Sequence, residues 1–346
     1  MSAPPRDQQG PEGGEAPAVS PRYILTVLGS AAAALMGFYA ILFTLQATGN
    51  LPPPAFSNSL CVDEKLAFHR NHPPQRSPNL LVVGSSVAWR HFDGEAVIQQ
   101  APGIAPLNGA FCGLAAHQSV FAANWLLDRN RSIREVVMIA SPQDFENCSK
   151  SAAEVFNRED ADAYVFAQAS PWRFYLRYFA PSSLIRNAIE IAGKRSGHNK
   201  VDPLVFDRYG SGPLDMEGDR GLYYSMVRGP DPACFAALNS LAVRLQQEGR
   251  RLMVVSTPLH PDWKAQGDPQ GKTLAAFRRE MTESLRGTQA EYWDGDAAQV
   301  VSREAFFDAI HIRWSAAHDF SRALGKALNL GSGVTASPIA PMPREG

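Results

Sequence analysis

The sequence has almost no excess charge of either sign. Its acidic and basic residues nearly cancel, giving a formal net charge of -1 over 346 residues. A chain without a general excess of positive charge has little attraction for a polyanion, and we therefore do not expect nucleic acid as a partner. The sequence also has no internal repeat, no P-loop and no complete dinucleotide fingerprint, so no nucleotide cofactor is predicted.

Cysteine is scarce. The sequence contains four cysteines, Cys61, Cys112, Cys148 and Cys234, and none belongs to a C-x-x-C pair or has a histidine at zinc-ligand spacing. No metal site is predicted. In an exported domain these residues allow one or two disulfides among three full pairings, while buried free thiols are the alternative.

One long stretch has no charge at all. Tyr23 to Leu45 is apolar enough and close to the roughly 20 residues that a helix needs to cross a bilayer. We predict an uncleaved transmembrane signal anchor over residues 22–46. Arg22 precedes the span, and residues 46–62 contain no Lys or Arg. This asymmetry predicts a single-pass protein of the cytoplasmic (inner) membrane, with the main domain on the periplasmic or extracytoplasmic side.

The composition divides the rest of the chain. Residues 1–21 and 330–346 are rich in Pro, Gly, Ser and Ala, which predicts a disordered cytoplasmic tail and a disordered carboxyl-terminal tail. Residues 47–78 are rich in proline, which predicts a linker. Hydrophobic residues make up 45% of the sequence, enough for a real core. We place that core in one main domain over 79–329.

Within this domain, short apolar runs alternate with helical patterns. The predicted strands are Leu80–Val83, Ala105–Leu107, Glu135–Ala140, Arg251–Ser256 and Glu291–Trp293, and the predicted last helix covers Trp314–Leu328. Strands separated by helices predict an α/β fold with a mainly parallel five-stranded sheet between two helical layers. A long insertion over about 145–230 is either a lid or a satellite core packed by its aromatic residues.

Polar residues follow these strands, where ligands of parallel sheets bind. Ser86 comes after a buried strand in the turn Gly84-Ser85-Ser86, which suits an exposed nucleophile. Asp308 stands three residues before His311, ahead of the last helix. In this arrangement His311 would take the Ser86 proton and Asp308 would orient the imidazole.

Three segments together resemble the SGNH/GDSL hydrolase superfamily: Gly84-Ser85-Ser86, Asn108 to Gly113, and Asp308 to His311. The resemblance implies a three-layer α/β/α sandwich and a serine esterase without a cofactor. It places the nucleophile on Ser86, although Ser85 stands where the family has Asp.

The resemblance also implies an oxyanion site. It makes the Gly113 N–H a donor and places Asn108 in the same block of oxyanion and substrate-binding residues. Ser141-Pro142-Gln143-Asp144 stands where the family has Gly-x-Asn-Asp, so Gln143 would supply the side-chain amide. His260 follows the fourth strand and is a further candidate for substrate contact, with a loop histidine shaped by flanking prolines as the alternative.

A membrane helix followed by an SGNH-like domain is similar to proteins that acylate cell-envelope polymers, such as the alginate acetylation and teichoic-acid D-alanylation accessory proteins. This similarity implies an esterase or O-acyltransferase for acetyl or other acyl esters of a glycan, or a small ester, with a membrane acyltransferase as a further partner. Transfer and hydrolysis are not separated by the sequence. The alternatives are an inactive glycan-binding module and a scaffold of an acyltransferase assembly.

Overall fold

The computed structural model describes residues 20–57, 59–196, 203–215, 218–227 and 229–332. The predicted tails over 1–21 and 330–346 lie almost entirely outside these ranges. The chain divides into two units, Met1–Leu51 and Pro52–Gly346. In the first unit, helix α1 (Pro21–Ala47) has a mean hydropathy of 1.9 over an 18-residue window. This helix is long and apolar enough to span a membrane or to serve as a signal anchor.

The second unit is built on one sheet. Its strands are β1 (Leu80–Gly84), β2 (Pro106–Asn108), β3 (Glu135–Ala140), β4 (Arg251–Ser256) and β5 (Glu291–Asp294). In the part of the chain that the structure describes, the strands lie in the order β2-β1-β3-β4-β5 across the sheet, and every neighbouring pair is parallel. The α/β fold with a parallel five-stranded sheet is therefore confirmed, and the predicted strand ends differ by one residue at most.

Helices connect and cover the strands. They are α2 (Leu60–Asn71), α3 (Ser86–His91), α4 (Gly94–Gln100), α5 (Ala116–Arg129), α6 (Arg158–Val165), α7 (Trp172–Arg177), α8 (Pro181–Arg195), α9 (Pro232–Gln247), α10 (Pro261–Gly267), α11 (Lys272–Ser284) and α12 (Trp314–Ala327). Short 3-10 turns cover Pro142–Phe145, Cys148–Lys150 and Arg303–Ala305.

Alternate residues of the central strands enter two separate cores. Val136 of β3 packs with α5 and α9, and the next residue, Val137, packs on the opposite face with α3 and α12. This alternation is the two-residue period of a strand, and burial on both faces explains why the central strands read as continuous apolar runs. The result is a helix–sheet–helix sandwich.

The segment predicted as a linker differs from the prediction. Helix α2 lies inside residues 47–78, and its Val62 and Leu66 side chains are buried in the main core. Residues from Pro52 onward belong to the unit that holds the sheet. The helix is packed despite its charged residues because those groups find partners: the Ser57 N–H and hydroxyl each donate to the Asp63 carboxylate over 2.9 Å.

The predicted insertion has two parts. Around α6 and α7, an aromatic cluster forms where the Phe56 ring contacts the rings of Tyr164, Phe174 and Tyr178 at 4.8–5.1 Å between centroids. These rings belong to the same buried cluster as Val62 and Leu66, so this part extends the main core and does not form a separate satellite core. Residues further along the insertion, including Leu204 and Leu214, line a cavity beside Ser86.

All four cysteines are paired. Cys61 is bonded to Cys112, and Cys148 is bonded to Cys234. The first disulfide joins α2 to the loop that follows β2. The second joins the 3-10 turn at Cys148–Lys150 to α9. Of the open alternatives, the structure thus selects two disulfides and this one of the three pairings.

Candidate active site

Ser86 is presented by a sharp turn at the carboxyl end of β1. Gly84 has φ of +139°, a conformation that L side chains rarely adopt. A Cβ atom at this position would lie 2.2 Å from the Ile139 carbonyl oxygen of the neighbouring strand β3. Only glycine therefore lets the chain leave the sheet here. Ser86 follows as the first residue of α3.

The three predicted catalytic residues come together. The Ser86 Oγ lies 2.9 Å from the His311 Nε2, and the His311 Nδ1 lies 2.9 Å from the Asp308 Oδ2. A carboxylate only accepts hydrogen bonds, so the imidazole proton sits on Nδ1 and leaves Nε2 free to accept from the Ser86 hydroxyl. This is the arrangement of a nucleophile, a base and an orienting acid.

Asp308 is 2% exposed, and its environment keeps it ionised. Burial alone would raise its pKa. Hydrogen bonds from the His311 ring, its electrostatic attraction and the backbone N–H groups of Ile310 and His311 outweigh burial, and the pKa lies below its ordinary value. The two backbone bonds are 2.9 Å and 2.8 Å and both end on Oδ1. The His311 Nδ1 lies 3.1 Å from Oδ1 and 2.9 Å from Oδ2, so its shorter contact is to the oxygen that accepts no backbone N–H.

Backbone hydrogen bonds fix the loop that carries Asp308 and His311. Phe306 and Ile312 form an antiparallel bridge, and the Phe307 N–H donates to the His311 carbonyl over 2.8 Å. The His260 N–H donates to the Ala309 carbonyl over 2.9 Å. The base is therefore held on a rigid hairpin-like turn rather than on a free loop.

His91 supports the same loop, a role that sequence reasoning did not assign. Its Nε2 accepts from the Ile312 N–H at 3.1 Å, so its proton is on Nδ1 and is donated to the Thr257 Oγ1 at 2.7 Å. Burial, together with the nearby His311, holds the pKa of His91 well below its ordinary value. His91 is thus a neutral histidine that supports the loop of His311 through two hydrogen bonds. No local sequence pattern predicts this role of His91.

A cavity of about 310 Å³ opens beside Ser86. Ser86, His311 and Gly113 line it. Its other described lining residues are Ser59, Leu60, Cys61, Trp89, Arg90, Cys112, Lys194, Leu204, Leu214, Arg220, Tyr224 and Phe307. Another cavity of about 540 Å³ is bordered by residues such as His72, Arg76 and Tyr209 and does not include the triad. The smaller cavity is the candidate site because the reactive groups face it.

Two backbone donors are available at the cavity. Ser86 and Gly113 both line it, and among the described residues no hydrogen bond uses the N–H of either one. The Ser86 N–H is unused because the first turn of a helix has no partner within that helix. Gly113 has φ of +71°, which glycine adopts without strain. Both donors suit an oxyanion that forms beside Ser86.

Gln143 lies in the 3-10 turn that follows β3. Its side-chain Nε2 and Oε1 are both buried, and neither has a hydrogen-bond partner among the described residues. Gln143 does not itself line the cavity among the residues described there. A buried amide without a partner is costly, and it marks a position where a bound group would be favourable. Its oxyanion role stays a prediction.

The structure places the other two predicted residues away from the cavity lining. Asn108 is fully buried, and its amide donates to the Ala88 carbonyl and the Ser211 Oγ, each at 3.1 Å. It therefore braces α3 beneath the nucleophile. The His260 side chain caps α10, where its Nδ1 accepts from the Asp262 N–H at 3.2 Å. Substrate contact by either side chain stays a prediction.

The cavity carries positive charge. Arg90, Lys194 and Arg220 line it, and none of its described lining residues is Asp or Glu. The Arg90 guanidinium donates to the Pro203 carbonyl at 3.1 Å and stacks over Trp89.

Within the described part of the chain, no cluster of three or more His, Cys, Asp or Glu side chains offers a metal site.

Solved structures with partial likeness to this chain were found. The native aryl esterase of M. smegmatis is 10% identical to this chain, with a TM-score of 0.38. The match covers 73% of this chain and 98% of the aryl esterase. A carbohydrate acetylesterase from Sinorhizobium meliloti is 9% identical to this chain, with a TM-score of 0.37. The match covers 73% of this chain and 98% of the acetylesterase. No protein-family model and no curated protein matches the chain.

Proposed function

We propose that this protein is a serine esterase or O-acyltransferase of the SGNH type, with Ser86 as the nucleophile. The observation that carries the proposal is the continuous chain of hydrogen bonds from Asp308 through His311 to the Ser86 hydroxyl, at the edge of a cavity. A binding module has no physical need for a nucleophile, a base and an orienting acid in this alignment.

The geometry supports a two-step acyl transfer. The Ser86 Oγ attacks the ester carbonyl carbon while its proton passes to the His311 Nε2. The carbonyl oxygen becomes an oxyanion, with the N–H groups of Ser86 and Gly113 and the amide of Gln143 as proposed donors. His311 then returns the proton to the leaving alkoxide, and an acyl-Ser86 ester remains. Water or an acceptor hydroxyl cleaves it by the reverse sequence.

We further propose that the substrate is an acyl ester, such as an acetyl ester, of a cell-envelope or exported glycan. The positive lining by Arg90, Lys194 and Arg220 favours substrates that carry an anionic group near the ester. A guanidinium pairs well with a carboxylate because both are planar and can share two hydrogen bonds. The proposed substrate class is therefore a glycan with acidic groups.

The proposed location is outside the cytoplasm, anchored by α1. Two observations support this location: α1 is long and apolar enough to span a membrane, and all four cysteines form disulfides, which persist in oxidising compartments. Fusions of alkaline phosphatase and of a green fluorescent protein after residue 332 test the orientation. Activity of the phosphatase alone is expected, whereas fluorescence alone would contradict it.

Covalent labelling tests the catalytic proposal. The full chain in detergent is treated with a serine-directed fluorophosphonate, and intact mass and peptide mapping locate the adduct. We expect an adduct on Ser86 that is absent in Ser86→Ala and strongly reduced in His311→Ala. A folded protein that gives no adduct would remove the proposal and favour a glycan-binding module or a scaffold instead.

The same protein separates transfer from hydrolysis. An acetyl ester substrate is incubated with and without a glycan acceptor, and acetate release is compared with acetylated acceptor. A transferase forms acetylated acceptor at the expense of acetate, while a hydrolase releases acetate at an unchanged rate. Either result is compatible with the acyl-Ser86 intermediate, which labelling tests separately.

A further inference from the structure

The loop that carries Gly113 forms hydrogen bonds to the rest of the protein before and after Gly113, but not at Gly113 itself. Before Gly113, the Phe111 N–H donates to the Gly84 carbonyl at 3.3 Å. After it, the Ala115 N–H donates to the Gln118 side chain at 3.1 Å. Within the described chain, no hydrogen bond involves the backbone of Cys112 or Gly113. Cys112 and Gly113 lie at the centre of a turn, and no hydrogen bond of their own fixes the direction of the Gly113 N–H.

A covalent bond reaches this part of the loop instead. Cys112, the neighbour of Gly113, forms a disulfide with Cys61, and both cysteines line the cavity beside Ser86. Cys61 lies in the first turn of α2. This turn is itself well fixed, because the adjacent Val62 is 1% exposed and packs in the core. The disulfide thus connects a rigid helix to the residue beside the candidate oxyanion donor.

We propose that the Cys61–Cys112 disulfide is a positioning element of the active site that holds the Gly113 N–H on the oxyanion, so that activity depends on its oxidation. The proposal rests on the esterase function proposed above. Reduction by a dithiol transfers two electrons and two protons to the disulfide, giving the thiols of Cys61 and Cys112 and the oxidised, cyclic form of the reductant. The loop centre then has no covalent link to α2, and the donor is displaced.

The expected effect falls on the chemical step. Complete removal of one oxyanion donor typically costs ~10²–10³-fold in kcat, and a loosened donor should cost roughly 10- to 100-fold. Binding of a small ester is set by the whole cavity, so KM should change by less than about threefold. Loss of a purely structural disulfide would instead lower the melting temperature and leave kcat unchanged at temperatures below unfolding.

The second disulfide provides a matched control. Cys148 and Cys234 are separated by 86 residues, against 51 for Cys61 and Cys112, so the two bonds close loops of similar entropic weight. Neither Cys148 nor Cys234 lines the catalytic cavity. Loss of this bond is expected to destabilise the fold comparably without touching Gly113, and a serine at position 234 keeps a donor for the Asp144 carbonyl, which the Cys234 Sγ contacts at 3.9 Å.

The experiment uses the full chain in detergent with 4-nitrophenyl acetate as the probe. The variants are Cys61→Ser with Cys112→Ser, and Cys148→Ser with Cys234→Ser; kcat, KM, melting temperature and the rate of fluorophosphonate labelling are measured. We expect the first pair to lose 10- to 100-fold in kcat and in labelling rate, and the second pair to keep both. Equal losses in the two pairs, or unchanged kcat in the first, would overturn the proposal.

A reduction experiment covers the case in which the first pair fails to fold. In the Cys148→Ser/Cys234→Ser background only the Cys61–Cys112 bond remains, and it is reduced with a dithiol and then reoxidised while circular dichroism monitors the fold. Activity should fall on reduction and return on reoxidation. If the oxidised protein labels at Ser86 but reduction changes nothing, the positioning proposal alone fails. If the oxidised wild type neither labels nor hydrolyses the ester, the esterase proposal fails with it.

Discussion

Replacing Asp308 by asparagine should disable the base without disturbing the loop. The Asp308 Oδ1 accepts the N–H groups of Ile310 and His311, and an asparagine carbonyl can keep both bonds. Its amide NH2 then occupies the position of Oδ2, which accepts from the His311 Nδ1 at 2.9 Å in the wild type. Two donors cannot face each other, so the imidazole moves its proton to Nε2.

The structure sets the size of the effect. The His311 Nε2 accepts the Ser86 hydroxyl at 2.9 Å, and an Nε2 that carries a proton can no longer do so. The base is then in the wrong tautomer for nearly every molecule, which in serine hydrolases with this geometry costs ~10⁴-fold in kcat. That factor corresponds to about 5.4 kcal/mol of transition-state stabilisation.

A second histidine–carboxylate pair offers a control with the same geometry. The Asp93 Oδ2 lies 2.9 Å from the His318 Nδ1, while its Oδ1 accepts backbone N–H groups at the start of α4. Asp93→Asn therefore makes the same chemical change away from the nucleophile. Hydrolysis of 4-nitrophenyl acetate by both variants is measured, with circular dichroism as a check on folding. Comparable activity in Asp308→Asn and Asp93→Asn would refute the assignment of Asp308.

Three further predictions concern the turn, the oxyanion and the cavity charge. Gly84→Ala places a Cβ 2.2 Å from the Ile139 carbonyl oxygen and should lower the free energy of unfolding by more than about 3 kcal/mol, measured by chemical denaturation; an unchanged midpoint would contradict the strained turn. Gln143→Ala and Gln143→Glu should both lower kcat by ~10²–10³-fold, because neither side chain donates a hydrogen bond from an amide; wild-type kcat in either would exclude Gln143 as a donor. Lys194→Gln with Arg220→Gln should lower the ratio of kcat/KM for 4-acetoxybenzoate over neutral 4-acetoxybenzamide roughly tenfold, about 1.4 kcal/mol, whereas an unchanged ratio would argue against an anionic substrate.

The sheet is predictable from the sequence because its central strands are buried on both faces. Strands such as β3, Glu135–Ala140, are short apolar runs that end in polar turns, and their boundaries follow from that change. Helix α2 was not predicted, because the three consecutive charged residues Asp63-Glu64-Lys65 are typical of a solvent-exposed segment. In the fold, Lys65 donates to the Gly210 carbonyl, 145 residues away along the chain. Burial that depends on such distant partners leaves no local pattern.

The same distinction separates the site residues. Asp308 and His311 are three residues apart on one turn, so their pairing is visible as a spacing. His91 holds that turn through Ile312 and Thr257, which are 221 and 166 residues away. A lone buried histidine on a short helix is more often structural than functional, and only the folded arrangement distinguishes the two roles here.

Two turns of the candidate site differ from the SGNH motif that the sequence resembles, and they lie next to each other. Ser85 stands where that motif has an acidic residue in the nucleophile turn, and its side chain lies near enough to the Asp144 carboxyl group after β3 to lower the pKa of that group. The same carboxylate accepts the Ser141 N–H at 2.8 Å. Burial raises the pKa of Asp144 to about 6, against the opposing effect of these hydrogen bonds. Asp144 therefore lies within the turn that holds Gln143 and beside the turn that holds Ser86, so the two turns that differ from the motif adjoin each other.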